Sequence, residues 1–236
     1  MKISLIIPAY NEEKYLGECL KHVAENGTAL FETIVIDNAS TDRTAEIAKS
    51  SPFVRIVHES KKGLTQAREC GLSSATGDVI AFIDADTKMP SGWVERMIKV
   101  FSEDPNVVCL SGPYIYYDLP VYSKFVVWVY WIFFAWPTYF VTGYMAVGGN
   151  FAARKDALEK IGGFDQSISF YGEDTDIARR LHSVGSVKFI QRLYMPTSAR
   201  RLKEEGLFIT GYRYVINFFS IVLFKKPATS SYNDIR

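Results

Sequence analysis

Short apolar runs recur at regular intervals along the first hundred residues. Five of them are only four to six residues long and rich in β-branched side chains; they lie at 3–7, 32–36, 54–57, 78–83 and 107–110. Runs of this kind predict buried β-strands. The amphipathic stretches between them predict helices at 11–26, 40–50, 64–75 and 91–102, with Asn11 and Ser40-Thr41-Asp42 as capping residues.

Alternation of strands and helices, with strands that are apolar almost throughout, predicts a mostly parallel sheet covered by helices on both faces. Ligands of such sheets bind beyond the carboxyl ends of the strands. The turns at 8–11, 37–38 and 84–86 each follow the end of a predicted strand. We therefore expect these three turns to meet at one edge of the sheet.

This pattern breaks after residue 119. The stretch 121–142 is apolar and aromatic and contains three of the four tryptophans. A strand-and-helix pattern resumes near Met145, with a helix predicted at 173–184 and a strand at 187–193. A second apolar stretch covers 207–224, and a loose polar tail is predicted from Lys225 onward.

Composition narrows the class of protein. The chain has 236 residues, of which 48% are apolar, so it is long enough for one large domain with a substantial core. A net charge of +1 gives no reason to expect nucleic acid as a partner. The three cysteines are far apart in sequence and form no disulfide framework or zinc motif, which fits a reducing compartment. The N-terminus lacks the features of a signal peptide.

Asp84-Ala85-Asp86 follows the fourth predicted strand. Two carboxylates one residue apart on a turn can face the same cation, and Mg²⁺ and Mn²⁺ prefer such hard oxygen ligands. A bound metal would neutralise the charge of a diphosphate leaving group. The alternative is a helix cap or a solvated turn.

Gly172-Glu173-Asp174-Thr175-Asp176 is a second acidic cluster, at the start of a predicted helix. Carboxylates there suit the helix dipole whatever the function. The functional alternative is a general base that removes the proton of an acceptor hydroxyl. Asp37 also has two interpretations: it simply precedes the capping residues of a helix, or it accepts a hydrogen bond from a nucleobase. Cations that could meet phosphates, or simply be solvated, are Lys62, Arg68, Arg200 and Arg201.

Seven short motifs occur in a recognisable order. They are Ile6-Ile7-Pro8-Ala9-Tyr10-Asn11-Glu12-Glu13, Asp37-Asn38-Ala39-Ser40-Thr41-Asp42, Lys62-Gly63-Leu64 with Ala67-Arg68, Asp84-Ala85-Asp86, Gly148-Gly149-Asn150, Ile161-Gly162-Gly163-Phe164-Asp165 and Gly172-Glu173-Asp174-Thr175-Asp176. Together, over about residues 2–195, they resemble the family 2 glycosyltransferases, which are inverting enzymes with the GT-A fold.

The resemblance implies a GT-A fold, a nucleotide-sugar donor, a divalent Mn²⁺ or Mg²⁺ ion and a role for each matching residue. Asp174 would be the catalytic base, with Glu173 beside it near the acceptor. Asp86 would coordinate the metal, and Asp84 would contact the metal or the ribose. The nucleotide would be bound by Pro8, Ala9, Tyr10, Glu12, Asp37, Lys62, Arg68 and Asp84. A loop over the diphosphate would contain Ser198, Arg200 and Arg201.

One departure from the family pattern limits the reaction. Polymerising members of the family carry a Gln-x-x-Arg-Trp motif after the acidic cluster, whereas this chain has Gln191-Arg192-Leu193-Tyr194. The resemblance therefore implies a single transfer. It favours a UDP-sugar, with GDP- and dTDP-linked donors as alternatives.

Other functions compete with glycosyl transfer. A nucleotidyltransferase would need a Gly-rich, lysine-containing phosphate loop, but the first turn reads Pro8-Ala9-Tyr10-Asn11. A dinucleotide-dependent oxidoreductase is disfavoured because no Gly-x-Gly-x-x-Gly follows the first strand. A non-catalytic, membrane-associated nucleotide-sugar binding protein would have little reason to keep Asp84, Asp86 and Asp174.

The apolar stretches suggest where the protein works. A single membrane crossing by 125–141 would separate Asp86 from Asp174. This stretch is therefore predicted to lie in a membrane interface, with a re-entrant segment, a homodimer contact or a core insert as the alternatives. The net charge from Met195 to Lys226 is +4, which suits an anionic cytoplasmic leaflet. We predict a monotopic or peripheral enzyme at the cytoplasmic face of a membrane, with a lipid-linked acceptor such as a polyprenyl phosphate or a lipid-bound glycan.

Two regions are predicted within the chain. Residues 1–204 form the catalytic domain, including the insert at 119–142. Residues 205–236 form an apolar helix and a polar tail.

Overall fold

A computed structural model describes residues 1–229 and Ile235 of the chain. Part of the predicted polar tail, residues 230–234 and 236, lies outside the described residues.

A seven-stranded sheet forms the centre of the described structure. Its strands are β1 (Ile3–Ala9), β2 (Glu32–Asp37), β3 (Val54–His58), β4 (Val79–Ile83), β5 (Val107–Ser111), β7 (Asn150–Arg154) and β8 (Ser186–Phe189), in the order β3-β2-β1-β4-β7-β5-β8. Neighbouring strands are parallel except at β7, which runs antiparallel to both β4 and β5. The prediction of a mostly parallel α/β sheet is therefore confirmed.

Helices cover both faces of this sheet. Successive side chains of a strand point to opposite faces, so Leu5 and Ile7 of β1 pack in one core and Ile6 packs in the other. The helices α1 (Leu16–Asn26), α2 (Thr44–Lys49) and α4 (Trp93–Glu103) pack on the first core, and α3 (Leu64–Ser74), α7 (Lys155–Lys160) and α8 (Glu173–His182) pack on the second.

The remaining elements surround the carboxyl edge of the sheet. A small parallel sheet pairs β6 (Tyr114–Tyr116) with β9 (Met195–Thr197). The apolar insert consists of α5 (Val121–Tyr130), a π-helical turn (Trp131–Ala135) and α6 (Trp136–Thr142). After a 3₁₀ turn (Gln191–Leu193) and β9 come α9 (Arg200–Glu205) and α10 (Leu207–Phe224).

Asn11 is not a helix cap, so that prediction is wrong. The helix α1 begins only at Leu16, after a turn in which the N–H groups of Tyr15 and Leu16 donate to the Glu12 carbonyl. Asn11 instead has a positive φ of 54°. Its side-chain oxygen accepts the Thr41 N–H at 2.8 Å, which joins the turn after β1 to the turn after β2.

The helix α2 begins later than the capping residues predicted. Its first residue is Thr44, and of the three predicted capping residues, Asp42 accepts the Thr44 N–H at 2.9 Å. Ser40 instead contacts the turn after β1, where its hydroxyl accepts the Asn11 N–H at 3.1 Å.

The antiparallel strand β7 and the helix α7 have no counterpart among the predicted elements. The strand has only five residues, Asn-Phe-Ala-Ala-Arg, and its pairing partners are distant in sequence. Its first residue, Asn150, is fully buried, accepts the indole N–H of Trp93 at 3.0 Å and donates to the Gly112 and Leu193 carbonyls. This side chain ties the sheet to α4 and to the chain that leads into β6 and β9.

The predicted C-terminal apolar helix is present as α10, and the apolar insert is also helical. The stretches Val121–Thr142 and Leu207–Phe224 are long and apolar enough to cross a membrane, as judged by length and composition alone. Pro137 lies at the start of α6, directly after the π-helical turn. Beyond α10, the predicted loose tail turns back at least as far as Thr229, because the Asn217 side chain accepts the N–H groups of Ala228 and Thr229.

Candidate active site

A cavity of about 300 Å³ opens at the carboxyl edge of β1 and β4. It is lined by the turns that follow these strands, by Gly148-Gly149, by the start of α8 and by the segment from Thr197 to Leu202. Of the residues selected from the sequence, those that line it are Pro8, Ala9, Tyr10, Glu12, Lys62, Arg68, Asp84, Asp86, Glu173, Asp174, Ser198, Arg200 and Arg201.

Asp37 does not line the cavity. Its buried carboxylate accepts the Ser40 N–H at 3.2 Å and lies 3.3 Å from His58 Nδ1. Its neighbour Asn38 lines the cavity instead, accepts the Gly63 N–H and donates to the Lys61 carbonyl. Asp37 therefore stands directly behind the cavity wall.

Asn38 is hydrogen-bonded to Lys61 and Gly63, and Lys62 between them lines the cavity. The Lys62 ammonium group lies 3.9 Å from the centre of the Tyr10 ring, which also lines the cavity. A cation over an aromatic face is attracted by the ring quadrupole. Pro8 and Ala9 line the cavity together with this pair.

Asp84 and Asp86 occupy a turn that β4 presents to the cavity. Ala85 between them packs into the core, and the Thr87 hydroxyl closes the turn by donating to the Asp84 carbonyl at 2.7 Å. Asp84 accepts the Tyr114 hydroxyl at 2.7 Å. Asp86 accepts the Thr197 hydroxyl at 3.2 Å and pairs with Arg200 Nε at 3.0 Å.

Negative charge is concentrated around Asp86. Burial, together with the charges of Asp84 and Glu12, raises the pKa of Asp86 to about 7, although Arg200 opposes the shift. Arg200 also donates two hydrogen bonds to Glu12, at 2.8 Å and 2.6 Å. One guanidinium group therefore forms ion pairs with two buried carboxylates.

This arrangement fits a divalent cation. Among residues 1–229 and Ile235, no group of three or more histidine, cysteine or acidic side chains is placed to surround a metal. Mg²⁺ and Mn²⁺ sites that bind through substrate phosphates need only one or two protein carboxylates, with water and phosphate oxygens completing the shell. Asp84 and Asp86 supply such a pair, and the excess negative charge there favours a cation.

Arg68 joins Asp84 to the acidic cluster of α8. Its guanidinium group is buried, donates to Glu173 and lies 3.4 Å from Asp84. Burial raises the pKa of Glu173 to about 7, even though the positive charge of Arg68 opposes this. The sequence offered two interpretations of Arg68, a cation near the nucleotide or a solvated charge; the structure buries Arg68 in the cavity lining, where it links two carboxylates.

Two glycines allow this network to form. A Cβ at Gly148 would collide with Glu173 and press against Arg68, and one at Gly149 would collide with Tyr114 and Asp84. The backbone of Gly148-Gly149 therefore lies directly against the carboxylates, which explains the need for residues without side chains there.

Asp174 is the second residue of α8. Its carboxylate accepts the Thr175 N–H at 2.8 Å. Burial raises its pKa, and hydrogen bonds from the backbone of Thr175 and Gly148 together with the Arg68 charge only partly offset this. The helix is preceded by Gly172, whose φ of +84° suits glycine, and whose Cβ would lie 2.7 Å from Ile221 of α10.

The aromatic wall of the cavity was not predicted from the sequence. It consists of side chains from β6, the insert, the loop before α8 and α10: Tyr116, Tyr130, Trp131, Phe170, Tyr171, Tyr214 and Phe218. Tyr114, which binds Asp84, was also missed. The available signal was its position just after the end of β5, where a strand delivers residues to the same edge as Asp84.

Comparison with known proteins places the chain in a defined group. The sequence model described as "Glycosyl transferase family 2" matches residues 4–162. The glycosyltransferase GlyG of Streptococcus pneumoniae is 35% identical over 122 residues, which are 49% of this chain and 40% of GlyG. The chain thus spans well under two thirds of the length of this relative.

Solved structures share the fold at lower identity. The mannosyltransferase PcManGT from Pyrobaculum calidifontis, in complex with GDP-Man and Mn²⁺, superposes with a TM-score of 0.71 at 19% identity, covering 97% of this chain and 66% of that one. Glucosyl-3-phosphoglycerate synthase from Mycobacterium tuberculosis, with Mn²⁺, UDP-Glc and phosphoglyceric acid, gives 0.65 at 18% identity, covering 93% and 79%. These likenesses confirm the predicted GT-A fold.

The buried pair of Arg68 and Glu173 leads to a stability prediction. Arg68→Met leaves Glu173 buried without its ion-pair partner, so that Glu173 either carries an uncompensated charge or must take up a proton, and we expect the free energy of unfolding to fall by about 3–5 kcal/mol in urea titrations at neutral pH. The double substitution Arg68→Met with Glu173→Gln should lower the free energy of unfolding by less than Arg68→Met alone. Without Arg68 the pKa of Glu173 in the folded state rises further above its unfolded value, so the loss should shrink as the pH is lowered.

Arg55→Met is the matched control. Arg55 pairs with Glu32 at 2.9 Å, but about half of its side chain is exposed, so the loss should stay below about 1 kcal/mol. An Arg68→Met variant no less stable than Arg55→Met would contradict a structural role for the buried pair.

Proposed function

The chain belongs to glycosyl transferase family 2, and from this we propose that it transfers a sugar from a nucleotide-diphosphate sugar to an acceptor hydroxyl, inverting the anomeric carbon. One observation carries the proposal. The paired carboxylates Asp84 and Asp86 and the carboxylate of Asp174 come from distant parts of the chain and line the same cavity. Such an arrangement provides charge neutralisation on one side of a bound sugar and a base on the other.

The donor nucleotide is assigned to the part of the cavity lined by Pro8, Ala9, Tyr10 and Lys62, with Asp37 behind the wall. Glu12 and Arg68 then support the site through their ion pairs. Structures of the same fold contain GDP-Man or UDP-Glc, which supports a nucleotide-sugar donor in general. Within that class, we propose a UDP-sugar.

Asp86 and Asp84 would hold a divalent ion, Mn²⁺ or Mg²⁺. When bound, such an ion neutralises negative charge that develops on the diphosphate leaving group. Arg200, Ser198 and Arg201 line the same cavity as these aspartates, and we assign them to the diphosphate. Arg200 is suited to this because its planar group can bind two oxygens at once, as it does with Glu12.

Asp174 is the proposed base. As the acceptor oxygen bonds to the anomeric carbon, the bond from that carbon to the donor phosphate breaks and its electron pair leaves with the nucleoside diphosphate. The acceptor proton passes to the Asp174 carboxylate. Burial raises the pKa of Asp174, which strengthens it as a base.

A membrane surface is the proposed setting for the reaction. The insert and α10 meet where Phe134 packs edge-on against Phe219, with ring centres 6.1 Å apart. Large apolar side chains on both elements are strongly exposed, among them Phe125, Phe133, Phe140, Phe208, Leu223 and Phe224. An exposed apolar surface of this extent is typical of an interaction site.

Basic residues at the edges of this surface favour an anionic leaflet over a second copy of the chain. Lys124 on the insert and Lys225 and Lys226 after α10 are exposed. Each basic residue near an anionic leaflet contributes about 1 kcal/mol of attraction, whereas two equal copies would bring like charges together. We therefore propose a peripheral or monotopic enzyme at the cytoplasmic face, acting on a lipid-linked acceptor in glycan biosynthesis.

Metal-dependent donor binding tests the donor half of the site. Calorimetric titration with UDP-, GDP- and dTDP-sugars, with Mn²⁺, Mg²⁺ or EDTA, should show one class of donor whose binding needs a metal. Asp86→Ala should remove the metal effect, because it removes a direct ligand. Asp156→Ala, which alters an exposed aspartate in the first turn of α7, is the control and should bind the donor normally. Equal, metal-independent binding by Asp86→Ala would refute the assignment.

Asp174→Asn tests the base. This variant should bind the donor as the wild type does but transfer sugar at least about 100-fold more slowly, a typical contribution of general-base catalysis. In the wild type, the base works only when ionised, so kcat/KM should fall with decreasing pH at a value above the 3.8 of an ordinary aspartic acid. Donor binding measured over the same pH range separates this loss from titration of Asp86. Full transfer by Asp174→Asn would exclude Asp174.

Vesicle flotation tests the membrane proposal. The protein should float with phosphatidylcholine vesicles containing phosphatidylglycerol, and less so as salt is raised. Phe133→Ser with Phe208→Ser should weaken binding at least about tenfold, because two apolar side chains no longer leave water. Phe53→Ser, which alters an exposed phenylalanine before β3, is the control. A soluble monomer without vesicle binding, or a dimer broken by the same pair of substitutions, would contradict the proposal.

A further inference from the structure

Three buried polar atoms of cavity-lining residues lack a hydrogen-bond partner among the described residues: Arg68 Nε, Trp131 Nε1 and Glu173 Oε2. A buried donor or acceptor without a partner costs roughly 1–3 kcal/mol. Such groups are therefore rare in folded proteins unless water or a ligand satisfies them. Their position in the wall of a cavity points to a ligand with its own donors and acceptors.

Trp131 reaches the cavity from the π-helical turn. This turn, Trp131–Ala135, lies between α5 and α6. The Trp131 ring stacks on Phe189, with ring centres 5.6 Å apart and an angle of 20° between the planes. π-Helical turns are frequent at functional sites. The insert thus has one side exposed to solvent and another side in the cavity wall.

The proposed base lines the same cavity. Glu173 and Asp174 are adjacent at the start of α8, and Tyr130 and Trp131 are adjacent in the insert. All four residues line the cavity. Burial, together with the negative charge of Asp174, raises the pKa of the Tyr130 phenol to about 12.

We infer that Glu173 Oε2 and Trp131 Nε1 bind hydroxyl groups of a sugar in the acceptor, so that the nucleophile is a sugar hydroxyl and not a lipid phosphate. This rests on the proposed function and selects one of the two lipid-linked acceptors predicted from the sequence, the lipid-bound glycan. A sugar hydroxyl donates one hydrogen bond and accepts others, which matches a carboxylate oxygen and an indole N–H.

The chemistry of the nucleophile supports this choice. A phosphate monoester is already ionised at neutral pH, since its second pKa is about 6, and needs no base. A sugar hydroxyl must lose its proton as its oxygen bonds to the anomeric carbon, and Asp174 accepts that proton. The electron pair of the broken carbon–oxygen bond leaves with the nucleoside diphosphate.

Electrostatics point the same way. Arg68, the arginine that contacts Glu173, is already paired with Glu173 and with Asp84. A lipid phosphate at the acceptor position would meet the carboxylates Glu173 and Asp174. Like charges in a poorly solvated site repel strongly, whereas a neutral sugar incurs no such cost.

Binding of model acceptors tests the inference. Saturation-transfer NMR on the full chain, with Mg²⁺ and the nucleoside diphosphate that binds best, would compare hexyl glycosides of glucose, galactose, mannose and N-acetylglucosamine with farnesyl phosphate. At least one glycoside should bind through its ring protons. Trp131→Phe keeps an aromatic ring but removes the N–H, and should weaken that binding about fivefold, the value of one hydrogen bond. Glu173→Gln should weaken it to a similar extent.

Trp136→Phe is the matched control. Trp136 lies five positions further along the same insert and also packs on Phe189, at 6.4 Å, but it does not line the cavity. It should bind the glycoside as the wild type does, and neither Trp131→Phe nor Trp136→Phe should change donor affinity more than about twofold.

Three results would overturn the inference: binding or glycosylation of farnesyl phosphate with no glycoside bound, no binding of either acceptor, or glycoside binding that neither Trp131→Phe nor Glu173→Gln weakens. Failure of the proposed function gives a different result, namely no nucleotide-sugar binding at any metal concentration. The glycoside titrations can be run without nucleotide, so the two failures are distinguishable.

Discussion

A buried guanidinium group holds the two halves of the candidate active site together. Arg68 reaches from α3 to Asp84 at the end of β4 and to Glu173 at the start of α8. Donor-side and acceptor-side carboxylates are thereby fixed relative to each other. Removing one partner of a buried ion pair is strongly destabilising, so the relative position of the β4 turn and of α8 depends on Arg68. Gly148 and Gly149 leave the room that the network needs.

A similar balance of charges governs the donor side of the cavity. Three carboxylates lie close together here: Glu12, Asp84 and Asp86. Arg200 offsets part of their negative charge by pairing with both Glu12 and Asp86. A second cation that enters this site can therefore replace part of the interaction between Arg200 and these carboxylates. The balance also explains why the pKa of Asp86 is raised while Arg200 is beside it.

The aromatic insert has two sides with different environments. Tyr130 and Trp131 line the cavity, whereas Phe133 and Phe140 are exposed. The π-helical turn changes the direction in which successive side chains point, which lets one continuous helical stretch serve both the cavity and the outer surface. An acceptor with an apolar anchor and a polar head could therefore be held by neighbouring parts of the same element.

The local features of this protein could be predicted from its sequence, whereas the meeting of distant groups could not. Apolar periodicity predicted the strands β1 to β5, the second apolar stretch predicted the C-terminal helix α10, and the order of motifs predicted the family and the GT-A fold, all of which are confirmed. A strand or helix is encoded by the spacing of its own apolar residues. By contrast, the pairing of Arg68 with Glu173 spans 105 positions and that of Arg200 with Glu12 spans 188, and no local pattern encodes either. The same holds for the antiparallel strand β7 and for Trp131 in the cavity wall, because a buried ion pair or an inward aromatic ring depends on which surfaces dock against each other in the packed chain.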